Sequence, residues 1–421
     1  MPQPPAEFTI ITADRLIDGL GGPPIPNGGV MIHDGKIVRV GAGDELRAPD
    51  GATVERHHRA GTSIVPGYVD AHTHVIAPGD GTPGEGVAAT DDDILLLQAA
   101  ANVRRMLNLG VTTARENGAK NRVGFSIREG IRRGIVPGPR MVICGRPVAT
   151  TGGHLHFFGQ AADGEDGVRR AVRELIRDGA DWIKITATGG STKSSDPWRP
   201  SFRVAELSAI VDEAHRRGKL TGAHTTASKG VEGVLEAGVD MIIHCVFWEP
   251  DGSYRYRPDL IDRAVADGRW INPTLYGGAY TEIEGIEGKH ARDGHLSPAD
   301  EAELAQAHAT VEMLMDGVRR MISQGAKITA GSDTAWRWGR AGGLAREVEL
   351  LGKSGLSNAQ AIVSGTSGAA ESIGAGDVAG RIAEGRPADL VVVEGDALAD
   401  LAALQHVVDV WLAGHRLERT A

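Results

Sequence analysis

Cysteine is nearly absent from this chain: Cys144 and Cys245 are the two in 421 residues. So few exclude a disulfide framework, and both read as small core residues. A membrane-spanning run is missing too, since no apolar stretch approaches the ~20 residues a bilayer requires. Positive charge is in deficit: 45 Lys and Arg face 55 Asp and Glu, a net charge of −10. With a pI near 5.8, that balance argues against nucleic acid or an anionic membrane surface as the main partner. The opening Met1-Pro2-Gln3-Pro4-Pro5-Ala6-Glu7 has no basic region and no apolar signal core, so a cytoplasmic location is expected. No solenoid-type repeat or low-complexity segment is visible. What remains, 41% hydrophobic residues and 58 glycines, fits a well-buried α/β protein of two or three domains, or one large barrel with attachments.

The two ends of the chain resemble each other and not the middle. Gly29-Val30-Met31-Ile32-His33 and Lys36-Ile37-Val38-Arg39-Val40 flank Asp34-Gly35, a strong hairpin signal. Further strands are expected at Phe8–Ile11, Ala388–Glu394 and His406–Leu412. One small β-sandwich domain built from both termini, residues 1–62 and 376–421, is the reading this supports. Between them, strands alternate with helices, the signature of βαβ units and a parallel sheet. Candidate strands end at His74, Arg115, Cys144, Thr186, His224, His244, Leu275 and Gly331. Eight is the number that closes a (β/α)8 TIM barrel, here expected over 63–375. A helix from Ser297-Pro298-Ala299-Asp300 to Gly325 has an N-cap, a first-turn proline and an acidic first turn.

Val69-Asp70-Ala71-His72-Thr73-His74 carries the main chemical signal. Side chains alternate along a strand, so His72 and His74 leave on one face and can chelate a metal. Two core histidines with ordinary hydrogen bonds would leave the same trace, so the pair needs further ligands. Barrel active sites lie at the C-terminal ends of the strands. There the sequence offers Lys184 in the fourth strand, His224 ending the fifth, His244 ending the sixth and Asp333 after the eighth. Imidazole nitrogen and carboxylate oxygen are usual ligands of a catalytic Zn²⁺. Lys184, inside Trp182-Ile183-Lys184-Ile185, should have its pKa depressed by burial. A neutral amine can take up CO2 as a carbamate, whose two oxygens can bridge two metal ions. A lysine snorkelling to the rim or paired with a carboxylate is the alternative reading.

With its six residues in this order, the chain resembles the amidohydrolase superfamily and its carboxylated-lysine binuclear centre. Pro66-Gly67-Tyr68 leading into the histidine pair, Gly110–Arg115, Thr151-Gly152-Gly153-His154 and Ile183–Gly190 are similar to the imidazolonepropionase-like branch, which includes dipeptidases and other amide hydrolases. The resemblance implies two divalent ions, Zn²⁺ being the expected metal. His72, His74 and Asp333 would hold the more buried ion, His224 and His244 the other, and N-carboxylated Lys184 would bridge them. It implies that Asp333 is the general base toward a metal-bridging hydroxide, that His154 faces the substrate, and that the chain forms a homo-oligomer. Departures lie beside the ligands: His224-Thr225-Thr226-Ala227, Ile243-His244-Cys245 and Arg115-Glu116-Asn117-Gly118 differ from the family's usual strand ends.

Only 4% of residues are aromatic, yet Trp198, Trp248, Trp336, Trp338, Tyr254, Tyr256, Tyr276 and Tyr280 fall in expected strand-to-helix loops. They suggest a pocket for a hydrophobic or aromatic group, although single tryptophans also brace loops or fill interfaces. Lys193, Arg199, Arg337 and Arg340 share those loops and could bind a substrate carboxylate. The expected reaction is hydrolysis of an amide or peptide bond in a small molecule such as a dipeptide, N-acyl amino acid or aryl amide. A urea, carbamate or thiocarbamate is the alternative substrate. A deaminase fits less well, because deaminases usually lack the bridging lysine. A catalytically silent binding homologue would be expected to have lost ligands.

Overall fold

The computed structural model describes residues 7–334 and 336–418. Both chain ends enter a single eight-stranded sheet. Its strands are Phe8–Leu16, Ile25–Pro26, Gly28–His33, Lys36–Ala42, Val54–Pro66, Leu390–Glu394, Val407–Leu412 and His415–Arg416. Val54–Pro66 joins the halves, pairing parallel with Phe8–Leu16 and antiparallel with Leu390–Glu394. The hairpin turns at Asp34 (φ 48°) and Gly35 (φ 74°), the two positive φ values that the tightest hairpins need. Successive residues of the first strand face opposite ways. Ile11 joins Val30, Ile64 and Trp411 in one apolar cluster, while Ile10 joins Phe8, Met31 and Leu46 in another.

Val54–Pro66 starts in solvent and ends buried, crossing the expected boundary at 62/63 to lead straight into the barrel. Gly67 makes the junction possible. A Cβ there would lie 2.1 Å from Thr112 Oγ1, so only glycine permits the approach.

Eight parallel strands follow: Tyr68–Thr73, Val111–Glu116, Arg140–Ile143, Trp182–Thr186, Leu220–Ala227, Met241–Trp248, Trp270–Asn272 and Lys327–Ile328. Strands one to three and four to eight form continuous ladders. Two seams close the ring. Val148, beyond the third strand, donates to Lys184 O at 2.8 Å and accepts from Thr186 N at 3.0 Å. At the other seam Ala71 N donates to Ala330 O (3.2 Å), Asp333 N to His72 O (2.7 Å) and His74 N to Thr334 O (3.1 Å).

The barrel strands are buried on both faces, which is why their apolar runs read as continuous and not alternating. The seventh strand stops at Asn272, short of the expected Leu275, because Pro273 has no N–H to continue the ladder. Helix Pro298–Ser323 begins as expected, with Ser297 Oγ accepting from Asp300 N and the Asp300 carboxylate accepting from Ser297 N.

The sheet and barrel meet at Asp389, which accepts from Arg140 Nη1 (2.9 Å) and from Ala413 N (2.8 Å) while 5% exposed. Asp389→Ala would leave the Ala413 amide without this acceptor and Arg140 Nη1 with Thr113 Oγ1 (3.1 Å) in place of a charge partner. A loss of about 2–3 kcal/mol is expected, below the 3–5 typical of a fully buried pair because Arg140 keeps contact with water. Urea unfolding measures it, and a loss below about 0.5 kcal/mol would show that the joint does not depend on this carboxylate.

Candidate metal centre and cavity

His72, His74, His154, Lys184, His224, His244 and Asp333 all line one cavity of about 820 Å³ at the C-terminal ends of the strands. Two of them sit on unusual backbone. His244 (φ 65°) and Asp333 (φ 47°) are left-handed without being glycine, a strained state that clusters at functional positions. Cys245 is also left-handed (φ 56°), so the sixth strand kinks at His244-Cys245 and regular alternation does not operate there. Both cysteines are free and buried.

Asp333 Oδ1 lies 3.3 Å from His72 Nε2 and 3.4 Å from His74 Nε2. Ligand atoms of these three residues fall within 4.8 Å of one another. The rings continue around the floor: His72 and His244 centroids are 5.6 Å apart, His244 and His224 4.6 Å, His224 and His154 4.6 Å.

Hydrogen bonds on the far side of each ring fix which nitrogen is bare. His72 Nδ1 donates to Asn272 Oδ1 (3.1 Å), His74 Nδ1 to Gly118 O (3.0 Å) and His224 Nε2 to Gly189 O (3.0 Å). His244 Nδ1 meets Thr274 Oγ1 at 2.6 Å. A carbonyl can only accept, so the opposite nitrogen carries a lone pair, as a metal-ligating histidine requires. His72 Nε2 is buried and makes no hydrogen bond among the described residues. A bare nitrogen, two neighbouring imidazoles and a carboxylate on one oxygen-and-nitrogen site fit a divalent cation.

The electrostatics agree. Burial, helped by the Lys184 charge, holds His72 well below the ordinary histidine value, and burial with His154 does the same for His224. His244 falls to about 4 and His154 to about 3, again chiefly by burial. Lys184 is 2% exposed and drops to about 7: burial dominates, Asp333 opposes it and Arg115 adds to it. Burial alone would raise Asp333, but the His74 contact and the His244 and Lys184 charges outweigh it and leave it below its usual value.

Three of the four loop tryptophans, Trp198, Trp248 and Trp336, line the cavity. Trp336 lies edge-on to His74 at 4.9 Å and stacks on Phe158 at 5.8 Å. Trp338 packs instead over Gly81 and Gly285. The tyrosines brace the loops: Tyr254 against Trp248, Tyr256 against Phe247 and under Arg320, Tyr276 on Glu284. Of the four loop cations, Lys193 and Arg337 reach the cavity. Arg337 is paired with Glu282, and Arg199 with Asp196 at 3.0 Å. Sequence reasoning missed Asn272, Thr274 and Thr192 behind the histidines. It also missed the helix Thr281–Asp293, which pairs with the expected helix Pro298–Ser323 in a hairpin that adds Glu282, Thr310 and Leu314 to the wall. The one available signal was the long interval between the seventh and eighth strands.

A sequence model of the amidohydrolase family matches residues 63–417. The chain belongs to that family. Ochratoxinase from Aspergillus niger is 26% identical over 449 aligned positions, spanning 97% of this chain and 86% of that protein. An imidazolonepropionase from Symbiobacterium thermophilum is 34% identical over 91 residues, 18% of this chain and 21% of that one. A crystal structure of a Xaa-Pro dipeptidase with methionine in its active site superposes with a TM-score of 0.82 at 26% identity, covering 98% of this chain and 100% of that one. This amidohydrolase is thus a TIM-barrel hydrolase of C–N bonds acting on small molecules. Among its described residues, no helix is long and apolar enough to cross a membrane.

Two measurements probe the centre. Asn272→Ala removes the acceptor that orients His72, and a 10–100-fold weaker hold on a divalent cation is expected from chelator competition. In metal-free protein, acid should destabilise: below pH 6.5 the unfolded chain binds protons that folded His154 (about 3) and His244 (about 4) refuse. Each contributes up to about 1.4 kcal/mol per pH unit, lost as pH falls toward the folded values. Glu116 and Glu347, both raised to about 8 by burial, act with the opposite sign, their stabilisation fading as pH rises. His154→Gln should therefore flatten the acid limb of urea-measured stability between about pH 6 and 4, and an unchanged slope would contradict the neutral burial of His154.

Proposed function

We propose that this amidohydrolase cleaves an amide or peptide bond in a small substrate with a hydrophobic or aromatic group. His72, His74, Lys184, His224, His244 and Asp333 would hold two divalent ions, with zinc the expected metal and Lys184 carrying CO2 as a carbamate. The observation that carries this reading is the convergence of all six side chains, with His154, on one cavity walled by Trp198, Trp248 and Trp336. The ions, when bound, would supply Lewis-acid activation of water and of the scissile carbonyl.

The chain's own groups have separable tasks. Asp333 stays ionised and accepts the proton of the attacking water at its carboxylate, then returns it to the leaving nitrogen. Thr192 Oγ1 accepts from Leu155 N (3.1 Å) and lies 3.0 Å from His154 Nδ1, to which its own proton would be given in this reading. His154 then keeps its proton on Nε2 and presents a neutral donor to the oxygen that gains charge. Gly190 sets the ring in place: a Cβ there would sit 2.8 Å from it. The low pKa of Lys184 leaves much of its amine neutral near pH 7, the form that adds to CO2 with loss of a proton. The tryptophan walls exclude water and bury the apolar part of the substrate.

Metal analysis of the purified protein should find about two ions per chain, and Lys184→Ala about one. One ion in the parent, or no loss in the variant, would overturn the binuclear reading. Asp333→Asn should lower kcat by about 10²–10⁴-fold, and retained activity would remove its role as base. Hydrophobic dipeptides, N-acyl amino acids, aryl amides and aryl ureas make up the substrate panel. Turnover of the ureas alone would overturn the amide assignment.

A further inference from the structure

Asp333 is supported from two sides, and one side involves residues with no part in the ligand set. From the barrel, its amide is tied to His72 O at 2.7 Å. From the opposite side, the loop after the seventh strand presses on its side chain. A Cβ on Gly277 would lie 2.7 Å from Asp333 Cβ and 3.2 Å from Cγ and Oδ2, so the bare backbone of Gly277 fills the space beside the carboxylate. The backbone of Gly277 (φ −62°, ψ 158°) is open to any residue. Glycine is needed here for the approach to Asp333 and not for conformation.

The height of that loop is set by Tyr276. Its amide donates to Glu347 Oε2 at 2.7 Å, its ring lies over Gly343, and its hydroxyl donates to Glu284 Oε2 at 2.8 Å. Glu347, on helix Leu344–Lys353, is fully buried, and its Oε1 has no hydrogen-bond partner among the described residues. Nothing in the hydrolytic chemistry uses this carboxyl, and an uncompensated buried acid is costly unless it does work for its surroundings. The bond to Tyr276 N is the work on view.

The geometry points to Glu347 as a positioning residue: through the Tyr276 amide it holds Gly277 against Asp333 and so fixes the orientation of the Asp333 carboxylate. This inference rests on Asp333 acting as proposed above. Burial raises Glu347 to about 8, opposed by the Tyr276 and Leu275 amides. What it supplies is an acceptor oxygen and not a charge, and a glutamine can supply the same oxygen.

The test uses full-length, zinc-loaded protein. It reads Zn²⁺ loss to EDTA, the visible spectrum after Co²⁺ substitution, thermal unfolding, and kcat against KM on the fastest substrate of the panel. Gly277→Ala should shift the Co²⁺ spectrum and release Zn²⁺ about 10–100-fold faster. It should also lower kcat about 100-fold with KM unchanged. Glu347→Leu should move every reading the same way, and Glu347→Gln should restore them. Should Glu347→Leu fail to fold, Gly277→Ala and Glu347→Gln carry the decision. Parental metal release and kcat in Gly277→Ala, or a Glu347→Gln as impaired as Glu347→Leu, would overturn the inference. Asp333→Asn is run alongside. If it alone keeps activity, the base reading fails, while metal release from Gly277→Ala still decides the positioning.

Discussion

The centre depends on the seam between the first barrel strand and the segment after the eighth. His72, His74 and Asp333 come from opposite ends of the barrel sequence, and three backbone hydrogen bonds across the seam bring them together. Asp70 fastens it. Its carboxylate accepts from His72 N (3.1 Å), Ser332 N (2.9 Å) and Ser332 Oγ (2.6 Å), all buried. Burial raises Asp70 to about 6, against the pull of these bonds, so the clasp spends desolvation energy to make several short bonds. Gly331 allows the close approach, since a Cβ there would stand 2.6 Å from His72 Cβ. The motif Val69-Asp70-Ala71-His72 therefore contains both a ligand and the device that supplies its partner.

A second constraint is the cationic charge enclosed by the barrel. Arg115 is fully buried. It lies 4.2 Å over the Trp182 ring and donates to Met241 sulfur, while its Nε and Nη1 make no hydrogen bond among the described residues. Burial lowers it to about 10, and its field in turn depresses Lys184. Two buried cations repel, and the side chain that can yield is the lysine, because a guanidinium does not give up its proton near neutrality. Arg115, at the end of the second strand, thus acts on the lysine through its field. A carbamate at Lys184, as proposed, would set an anion in the field of an under-compensated arginine and replace repulsion by attraction.

How much of this was legible in sequence follows from which interactions are local. The eight strands could be read because burial on both faces demands unbroken apolar runs, and the polar residues that line the cavity because they interrupt those runs at strand ends. The Asp34-Gly35 turn and the Ser297 cap were legible for the same reason, each being settled within four residues. Asn272 was not, because its role is defined by His72, 200 residues earlier. Tyr276 and Trp338 misled as pocket candidates. An aromatic in a barrel loop can face the cavity or the loop's own support, and distant glycines decide which: Gly343 for Tyr276, and Gly285 and Gly81 for Trp338. The tail of the seventh strand was overread because the run was followed through Pro273 to Leu275.

Chemistry and selection are built from different parts of the chain. The nitrogens that face the cavity are oriented by Asn272, Thr274 and the carbonyls of Gly118 and Gly189, all within a few residues of a barrel strand. The apolar wall comes from farther out: Trp198, Trp248, and the hairpin through Leu314 and Ala279. Among the described residues, none of these histidines hydrogen-bonds to the hairpin, so its sequence can change without disturbing a tautomer. Asp333 is the exception, since Gly277 at the foot of the hairpin touches it. Variation that alters the wall is free as long as it stops short of residues 275–278. Proteins named ochratoxinase and Xaa-Pro dipeptidase are each 26% identical to this chain over nearly its whole length, and a frame of this kind would carry different walls without losing its strand ends. The strand ends are held by bonds within the barrel, and the walls of the proposed substrate pocket are surfaces that those bonds do not constrain.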